Sequence, residues 1–573
     1  MVIVTADPEI LKETTSLCPE CLQPVPATIF VDHGGTGFVM MRKECPEHGE
    51  YRDKLASHPE YYKWNMRFAE ELGSTVGHST QYDRTCARRK RKGCPYDCGP
   101  CRNHKSAPCI CIIDVTNRCN LMCPVCFANA NKVGYVVEPP FEDIVHVMEV
   151  FRSKKPVPPV LLQLSGGEPT LRADLPEIIQ KGKELGFTEV MLTTNGVKLA
   201  KSVEYFRTLV EAGMDAVYLQ FDGLEPDTWR KTRAVDLSKL KRRVIENARK
   251  VGFKGIMLVP TIVKGVNDHE VGNILDFALE NWDVISGVVF QPVSICGRIT
   301  YEDLMEMRYT TSDLQDAIRR HTGGRIGKFY PLATTAKLTR LWAWFDDVPE
   351  FSMLSHEDCG FATISVVDKD EDGNWAYHPI EDYFDVEGLI RWSNKVYDQV
   401  VNRELPKISA VVPVKVLGKL GQVVAEFSDK MTETAYRQAM KAYYLAGAVR
   451  YVRHPFDFLK SGTIQDFAKI VLYPSLETAA NFLQNRNMFI GCMHFQDAYD
   501  FDLERVSHCL VHYGLMDPDD PDHERVLDIP FCAHNTIHRE RLEKALARLY
   551  AEDLEVNPEQ VQREIEELVA KID

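Results

Sequence analysis

Through the middle of the chain, short apolar runs alternate with longer segments in which apolar residues recur at helical spacing. The runs predict strands and the longer segments predict helices. Short runs rich in β-branched residues occur at 111–116, 160–165, 189–194, 216–222, 255–263 and 287–293. Between them, apolar residues recur at helical spacing, as in EDIVHVMEVFRS and LSKLKRRVIENARKVG. Such alternation indicates βα units and a parallel sheet, either a six-stranded partial barrel or an open doubly wound sheet. Both arrangements place a ligand site at the carboxyl ends of the strands.

The remaining segments lack this alternation and divide the chain into four predicted regions. Residues 1–80 begin with a small cysteine module, 81–112 are cysteine-rich and basic, 113–295 carry the βα units, and 296–573 mix irregular and helical segments. The predicted fold class is therefore α/β. It comprises a partial (β/α)6 barrel, an N-terminal metal-binding module and a mainly helical C-terminal extension.

Composition and charge argue against a polyanion-binding, membrane-spanning or secreted protein. The net charge of −15 argues against a general polyanion binder and gives no support for nucleic acid as a partner. No run of about 18 uncharged apolar residues occurs, so no membrane-spanning helix is expected. The first residues lack the basic start and apolar core of a signal peptide, which predicts a cytoplasmic protein. A basic run at 88–92 leaves peripheral contact with an anionic membrane surface open.

Cysteines are abundant and unevenly placed. Of 17 in the chain, 12 lie before residue 127. Close CxxC spacing in a reducing compartment favours metal ligation over disulfides. The N-terminal pairs Cys18–Cys21 and Cys45–His48 have the spacing of a zinc-ribbon or rubredoxin-like tetrahedral site, and this soft ligand set suits either zinc or iron.

A second group follows the first predicted strand of the βα region. Cys119, Cys123 and Cys126 lie on one short loop, and three thiolates can ligate three irons of a [4Fe–4S] cluster while the fourth iron stays open. The motif SGGEP, at 165–169, follows the second predicted strand. Its two glycines allow a close backbone approach, and Glu168 can accept hydrogen bonds from an ammonium group. Both features fall at the predicted carboxyl edge of the sheet.

Together, the C-x3-C-x2-C loop and GGEP resemble the radical S-adenosylmethionine (SAM) superfamily over about residues 111–295. The resemblance implies a [4Fe–4S] cluster that cleaves SAM by one electron to a 5′-deoxyadenosyl radical, which abstracts hydrogen from substrate carbon. It also implies an electron donor such as a ferredoxin or flavodoxin. The residues it assigns to SAM binding are Gly166, Gly167, Glu168, Thr194, Asn195, Gln220 and Asp222.

A third cysteine group repeats the spacing of the loop in a different context. Cys94, Cys98 and Cys101 follow a basic run instead of a strand, and no GGEP motif follows the next strand after them. We interpret them as ligands of an auxiliary [4Fe–4S] cluster. Cys109 is the preferred fourth ligand, with Cys111 and Cys86 as open alternatives.

Over nearly the full chain, the order of motifs resembles the archaeal tetraether lipid synthase group. The motifs are CPEC, CPYDCGPC, DVTNRCNLMCPVCFANAN, LSGGEPT, CMHFQDAYDFD and IPFCAHN. The resemblance assigns a third [4Fe–4S] cluster to four late cysteines and a mononuclear iron or zinc to the N-terminal module. The late cysteines are Cys359, Cys492, Cys509 and Cys532.

This resemblance implies an enzyme that joins long-chain isoprenoid lipid tails by carbon–carbon bonds. Apolar segments at 337–345, 408–427, 442–452 and 467–483 are candidate walls of a tunnel for such tails. Alternative expectations are a radical SAM methyltransferase or another enzyme acting on a pterin-like small metabolite, or a lipid cross-linking enzyme that bonds tails at internal carbons. The small-metabolite enzyme requires no tunnel. The alternative for each of the four apolar segments is that it forms part of an ordinary helical core.

Overall fold

The computed structural model describes residues 8–72, 92–98, 104–294, 307–348, 355–404, 432–453 and 487–550, apart from 132, 156 and 371, together with positions 563 and 567. An antiparallel four-stranded sheet forms the N-terminal module. Its strands, followed by helix α1 (Pro59–Leu72), are β1 (Glu9–Leu17), β2 (Pro24–Val31), β3 (Val39–Cys45) and β4 (Gly49–Ala56). Two of its turns carry the predicted metal ligands, at Cys18–Cys21 between β1 and β2 and at Cys45–His48 between β3 and β4.

Six strands of the middle region form the expected parallel sheet. Neighbouring strands follow the order β5-β6-β7-β8-β9-β11, and the short β10 pairs with β11. The bounds are β5 (Ile110–Thr116), β6 (Leu161–Gly166), β7 (Glu189–Thr194), β8 (Ala216–Gln220), β9 (Ile256–Val259), β10 (Thr261–Ile262) and β11 (Ile285–Pro292).

Amphipathic helices connect these strands and bury their apolar faces in one large core. Pro226 at the start of α6 and left-handed Gly252 at the end of α7 fix helix ends in the usual way. The helices are α2 (Phe141–Arg152), α3 (Leu175–Glu184), α4 (Val197–Lys201), α5 (Val203–Glu211), α6 (Pro226–Arg233), α7 (Ser238–Val251) and α8 (Val271–Glu280).

Beside its helices, the described part of the C-terminal extension contributes six strands, which the sequence did not predict. Strand β15 pairs in parallel with β11, and β16 pairs in parallel with β5, so both edges of the parallel sheet are covered. Strands β13 and β17 continue the sheet beyond them in antiparallel orientation. The bounds are β12 (Tyr330–Pro331), β13 (Gly360–Lys369), β14 (Trp375–Pro379), β15 (Asn487–Met493), β16 (Val511–Met516) and β17 (Val526–Pro530).

Helices of the extension include two of the candidate tunnel segments. Residues 337–345 lie in α10 (Ala336–Asp346), and the first part of 442–452 lies in α12 (Glu433–Ala448). Both helices pack with α11 (Val386–Val401) around buried Trp392, Tyr397 and Tyr444. This arrangement is an ordinary aromatic helical core. The other two segments, 408–427 and 467–483, lie outside the described residues. The helices are α9 (Thr311–His321), α10 (Ala336–Asp346), α11 (Val386–Val401), α12 (Glu433–Ala448), α13 (Leu503–Ser507) and α14 (Arg539–Tyr550).

A buried charge network joins the N-terminal module to the extension. The guanidinium of Arg308 lies 3.1 Å from carboxylate oxygens of Asp497 and of Asp500 and also contacts Asp53 of β4. Such a network is costly to break at one partner, so it fixes the module against the rest of the protein. None of the described helices is long and apolar enough to cross a membrane.

Candidate active site

The loop after β5 brings Cys119, Cys123 and Cys126 to one wall of a pocket at the carboxyl end of the parallel sheet. Asn195 after β7 and Gln220 at the end of β8 also line this pocket. Burial and the charges of neighbouring thiols raise the pKa of Cys119. The structure therefore gathers the three predicted cluster ligands with predicted SAM-binding residues.

The two glycines of the GGEP motif are required by the cysteine loop itself. Gly166 has a φ of +129°, and a Cβ on it would come within 2.1 Å of the Thr116 carbonyl oxygen. A Cβ on Gly167 would come within 2.3 Å of the Arg118 carbonyl oxygen. Any larger residue would displace the backbone that leads to Cys119, because real Cβ atoms do not approach so closely.

Glu168 is fully buried and holds two strand ends together. Its carboxylate accepts hydrogen bonds from Thr194 Oγ1 at 2.7 Å, from the Asn195 backbone N–H at 2.8 Å and from Thr170 Oγ1 at 2.6 Å. Three of the predicted binding residues thus form one hydrogen-bonded group, which fixes the carboxyl end of β7 beside the loop.

Arg233 ties the cysteine loop to strand β8 and was missed by sequence reasoning. Its guanidinium pairs with Asp222, donates to the Val125 carbonyl oxygen at 2.8 Å and also contacts the Cys123 thiol. Burial disfavours the charge on Asp222, but Arg233 outweighs this and lowers the pKa of that carboxyl. A basic residue in the last turn of a short helix carries no sequence signal for this role.

Lys241, on helix α7, was also missed. Its fully buried ammonium donates to the Asn195 carbonyl oxygen at 2.5 Å, to the Gln220 carbonyl oxygen at 2.6 Å and to Gln220 Oε1 at 3.0 Å. Burial lowers its pKa to about 7. This side chain holds the ends of β7 and β8 at a fixed separation behind the pocket.

The donor set of the pocket fits a [4Fe–4S] cluster with three protein ligands. Three thiols converge on one wall, and they are the only cysteines among the described residues that line the pocket. Cys296 falls outside the described part of the chain. Arg233 beside the thiols supplies positive charge that suits an anionic iron–sulfur group.

The N-terminal ligands also come together. One ligand atom from each of Cys18, Cys21, Cys45 and His48 lies within 4.8 Å of the others. His48 Nδ1 is 3.5 Å from the thiols of both Cys18 and Cys45. The set has the chemistry of a closed tetrahedral zinc or iron site.

The predicted auxiliary cluster near residue 98 is described only in part. Cys98 is buried against the extension, in a cluster with Leu17 and Phe501, whereas Cys94 is exposed and Cys101 and Cys86 lie outside the described residues. Cys109 lies just before β5, at the end opposite the cysteine loop, where burial and the charge of Glu189 raise its pKa. Cys111 is buried within β5. The fourth ligand therefore stays a prediction.

Three of the four late cysteines lie near one another. Burial, together with the charges of Cys532 and Cys359, raises the pKa of Cys509, and Arg505 lies beside both Cys359 and Cys532. Cys492 shares the buried face of β15 with Met488 and Ile490 in the main core, and burial raises its pKa. The geometry therefore groups three thiols, and Cys492 as a fourth ligand stays a prediction.

Two family models match the regions that carry these sites. Residues 113–278 match the Radical SAM superfamily, and residues 10–57 match the HMPTM N-terminal zinc ribbon domain. The first match covers the cysteine loop, GGEP and the ends of the parallel strands from β5 to β9. The second covers Cys18, Cys21, Cys45 and His48.

Curated relatives extend the similarity to the whole chain. The 7,8-dihydro-6-hydroxymethylpterin dimethyltransferase of Methanocaldococcus jannaschii is 40% identical over 537 residues, which cover 93% of this chain and 95% of that protein. A probable GTP 3′,8-cyclase of Methanothermobacter thermautotrophicus is 29% identical over 40% of this chain and 79% of its own length. Streptococcus suis SuiB is 20% identical, with a TM-score of 0.29 over 39% of this chain and 46% of its own.

The first of these relatives overturns the expected activity. Its similarity spans almost all of both chains, and it is a pterin methyltransferase. The expectation of an enzyme that couples isoprenoid lipid tails was therefore wrong, whereas the radical SAM assignment was correct. The order of cysteine motifs did not identify the substrate.

Proposed function

The chain belongs to the radical SAM family that includes the archaeal 7,8-dihydro-6-hydroxymethylpterin dimethyltransferase, and on that basis we propose that it methylates a dihydropterin. Similarity at 40% identity over 93% of the chain is the observation that carries this proposal. The zinc ribbon match at 10–57 supports a metal ion held by Cys18, Cys21, Cys45 and His48.

The pocket has a mixed apolar and polar lining of the kind that binds small organic ligands. Apolar residues such as Val125 and Val259 alternate in its wall with polar strand-end groups such as Thr194 and Gln291. SAM and a bicyclic substrate would lie side by side in this space.

Each polar group of the site has a task in this proposal. Cys119, Cys123 and Cys126 would hold the [4Fe–4S] cluster that, with SAM bound, supplies one-electron cleavage. Arg233 fixes the cysteine loop, while Glu168 and Lys241 hold the strand ends that would contact SAM. A ferredoxin or flavodoxin would supply the electron. Auxiliary clusters on the other cysteine groups remain part of the proposal.

The proposal is tested with anaerobically reconstituted full-length protein, a low-potential reductant and 7,8-dihydro-6-hydroxymethylpterin. SAM is supplied in excess, because SAM that is cleaved to 5′-deoxyadenosine leaves its methyl group on methionine, and parallel samples contain a reduced one-carbon carrier as the alternative methyl source. We expect 5′-deoxyadenosine formation to increase when the pterin is added, and mass spectrometry to detect a pterin that has gained methyl groups. Cys126→Ala serves as the inactive control. Formation of 5′-deoxyadenosine that does not depend on the pterin, with an unchanged pterin mass, would contradict the proposal.

A further inference from the structure

An aromatic surface forms one wall of the pocket, and part of it comes from the C-terminal extension. Phe127 follows the last cysteine of the loop and is 40% exposed, while Phe495 lies just beyond β15 and is half-buried. Both rings line the pocket. Phe495 is the single described lining residue that lies beyond position 294.

Aromatic contacts support the Phe495 ring from behind. It stacks on buried Phe531, with ring centroids 4.3 Å apart and planes at 28°. Phe531 in turn stacks on Tyr513 at 5.4 Å, and Tyr513 stacks on His534 at 4.2 Å. The ring centroid of Phe127 lies 6.1 Å from that of Phe531, with the two planes at 49°. The ring at the pocket is thus the exposed end of a continuous aromatic stack.

Backbone contacts fix the short loop that carries the ring. The backbone N–H of Gln496 donates to Cys532 Sγ at 3.4 Å, and its side-chain amide donates to the Asp502 carbonyl oxygen at 3.3 Å. The Asp497 backbone N–H donates to Asp500 Oδ1 at 2.8 Å. A half-exposed aromatic ring that is held this firmly forms a preorganised surface for a flat ligand.

We propose that Phe495 stacks against the planar ring system of the substrate pterin; this inference rests on the proposed function. Flat heteroaromatic rings gain about 1–3 kcal/mol from stacking on an aromatic side chain. Polar groups at the strand ends, among them Gln291 and Thr261, line the same pocket and can meet the hydrogen-bonding edge of a pterin. Phe495 would thereby select a flat bicyclic substrate.

The experiment compares Phe495→Leu with wild-type full-length protein after anaerobic cluster reconstitution. Leucine keeps most of the apolar volume and removes the aromatic face. Affinity for 6-hydroxymethylpterin is measured by quenching of its intrinsic fluorescence, and affinity for SAM is measured in parallel by equilibrium dialysis. We expect pterin affinity to fall about tenfold or more and to fall by a larger factor than SAM affinity.

Phe38→Leu, in the hairpin loop between β2 and β3, is the matched control because Phe38 is also half-buried and lies outside the pocket. It should bind the pterin as tightly as wild type. Pterin affinity of Phe495→Leu within twofold of wild type would overturn the inference. An equal loss of SAM affinity would also overturn it, because that result would place the adenine of SAM against the Phe495 ring. Failure of wild type itself to bind the pterin would instead overturn the proposed function.

Discussion

The cross-link between Arg233 and Asp222 gives the sharpest test of how the cysteine loop is held. In Arg233→Met, Asp222 would stay fully buried without its cation, and the Val125 carbonyl oxygen would lose its 2.8 Å donor. Breaking a buried ion pair at one partner costs about 3–5 kcal/mol. We expect much of that cost to appear as easier opening of the loop that carries Cys123 and Cys126.

The magnitude can be read from the release of iron. A loss of about 3–5 kcal/mol corresponds to a factor of roughly 10² to 4 × 10³ in an opening equilibrium. If loop opening limits access, iron should pass to an excess of chelator about 10² to 4 × 10³ times faster than from wild type. Anaerobic absorbance of the iron–chelator complex measures this rate directly.

Two control variants separate the ion pair from a general loss of stability. Arg230→Met removes an exposed partner of Asp236, 3.9 Å away, and should leave the rate within about threefold of wild type because such surface pairs contribute little. Arg233→Met combined with Asp222→Leu removes both buried charges and should restore slower release. Wild-type rates in Arg233→Met, or faster release from the double variant than from the single, would refute the reasoning.

The remaining predictions concern three other parts of the molecule. Cys126→Ala should abolish reductive cleavage of SAM. Any 5′-deoxyadenosine from this variant would contradict the assignment of the SAM-binding cluster to the loop after β5. Cys359→Ala should lose about four irons per chain by anaerobic analysis, and Cys492→Ala should lose the same number because Cys492 is the predicted fourth ligand; an unchanged iron content in Cys492→Ala would remove it from the ligand set. Burial lowers the pKa of Lys241 to about 7, so above that pH the unfolded state binds more protons than the folded state. The free energy of unfolding of wild type should therefore increase relative to that of Lys241→Met between about pH 7 and 9. Urea unfolding at both pH values measures this difference, and a constant difference would disprove it.

The parallel strands were predictable because they are buried on both faces. Strand β7 occupies Glu189–Thr194, the same six residues that the apolar pattern predicted. Parallel strands covered by helices consist of nearly continuous apolar runs, which stand out from their surroundings. Strands β13 and β15 were missed, because short apolar segments do not reveal partners that lie far away in the sequence.

Site residues were predictable only where a motif marks them. The cysteine loop and GGEP have fixed spacing, and the structure places them at one pocket. Lys241 lies in an amphipathic helix with many basic residues, and its burial depends on tertiary packing that no local pattern records. The glycines of GGEP line the pocket, and the close approach of backbone atoms from residues 116–118 gives a second reason for glycine that the sequence did not reveal. The substrate was mispredicted because shared cysteine motifs report cofactor chemistry alone.

Pairing of β15 with β11 and of β16 with β5 has a consequence for biosynthesis. Both outer strands of the parallel sheet obtain their partners from the last ninety residues or so of the chain. During translation the βα region would emerge with two open edges, which favour association with other chains. The sheet would therefore be completed only after β15 and β16 have been synthesised. A fragment ending near residue 295 should aggregate instead of accepting iron and sulfide.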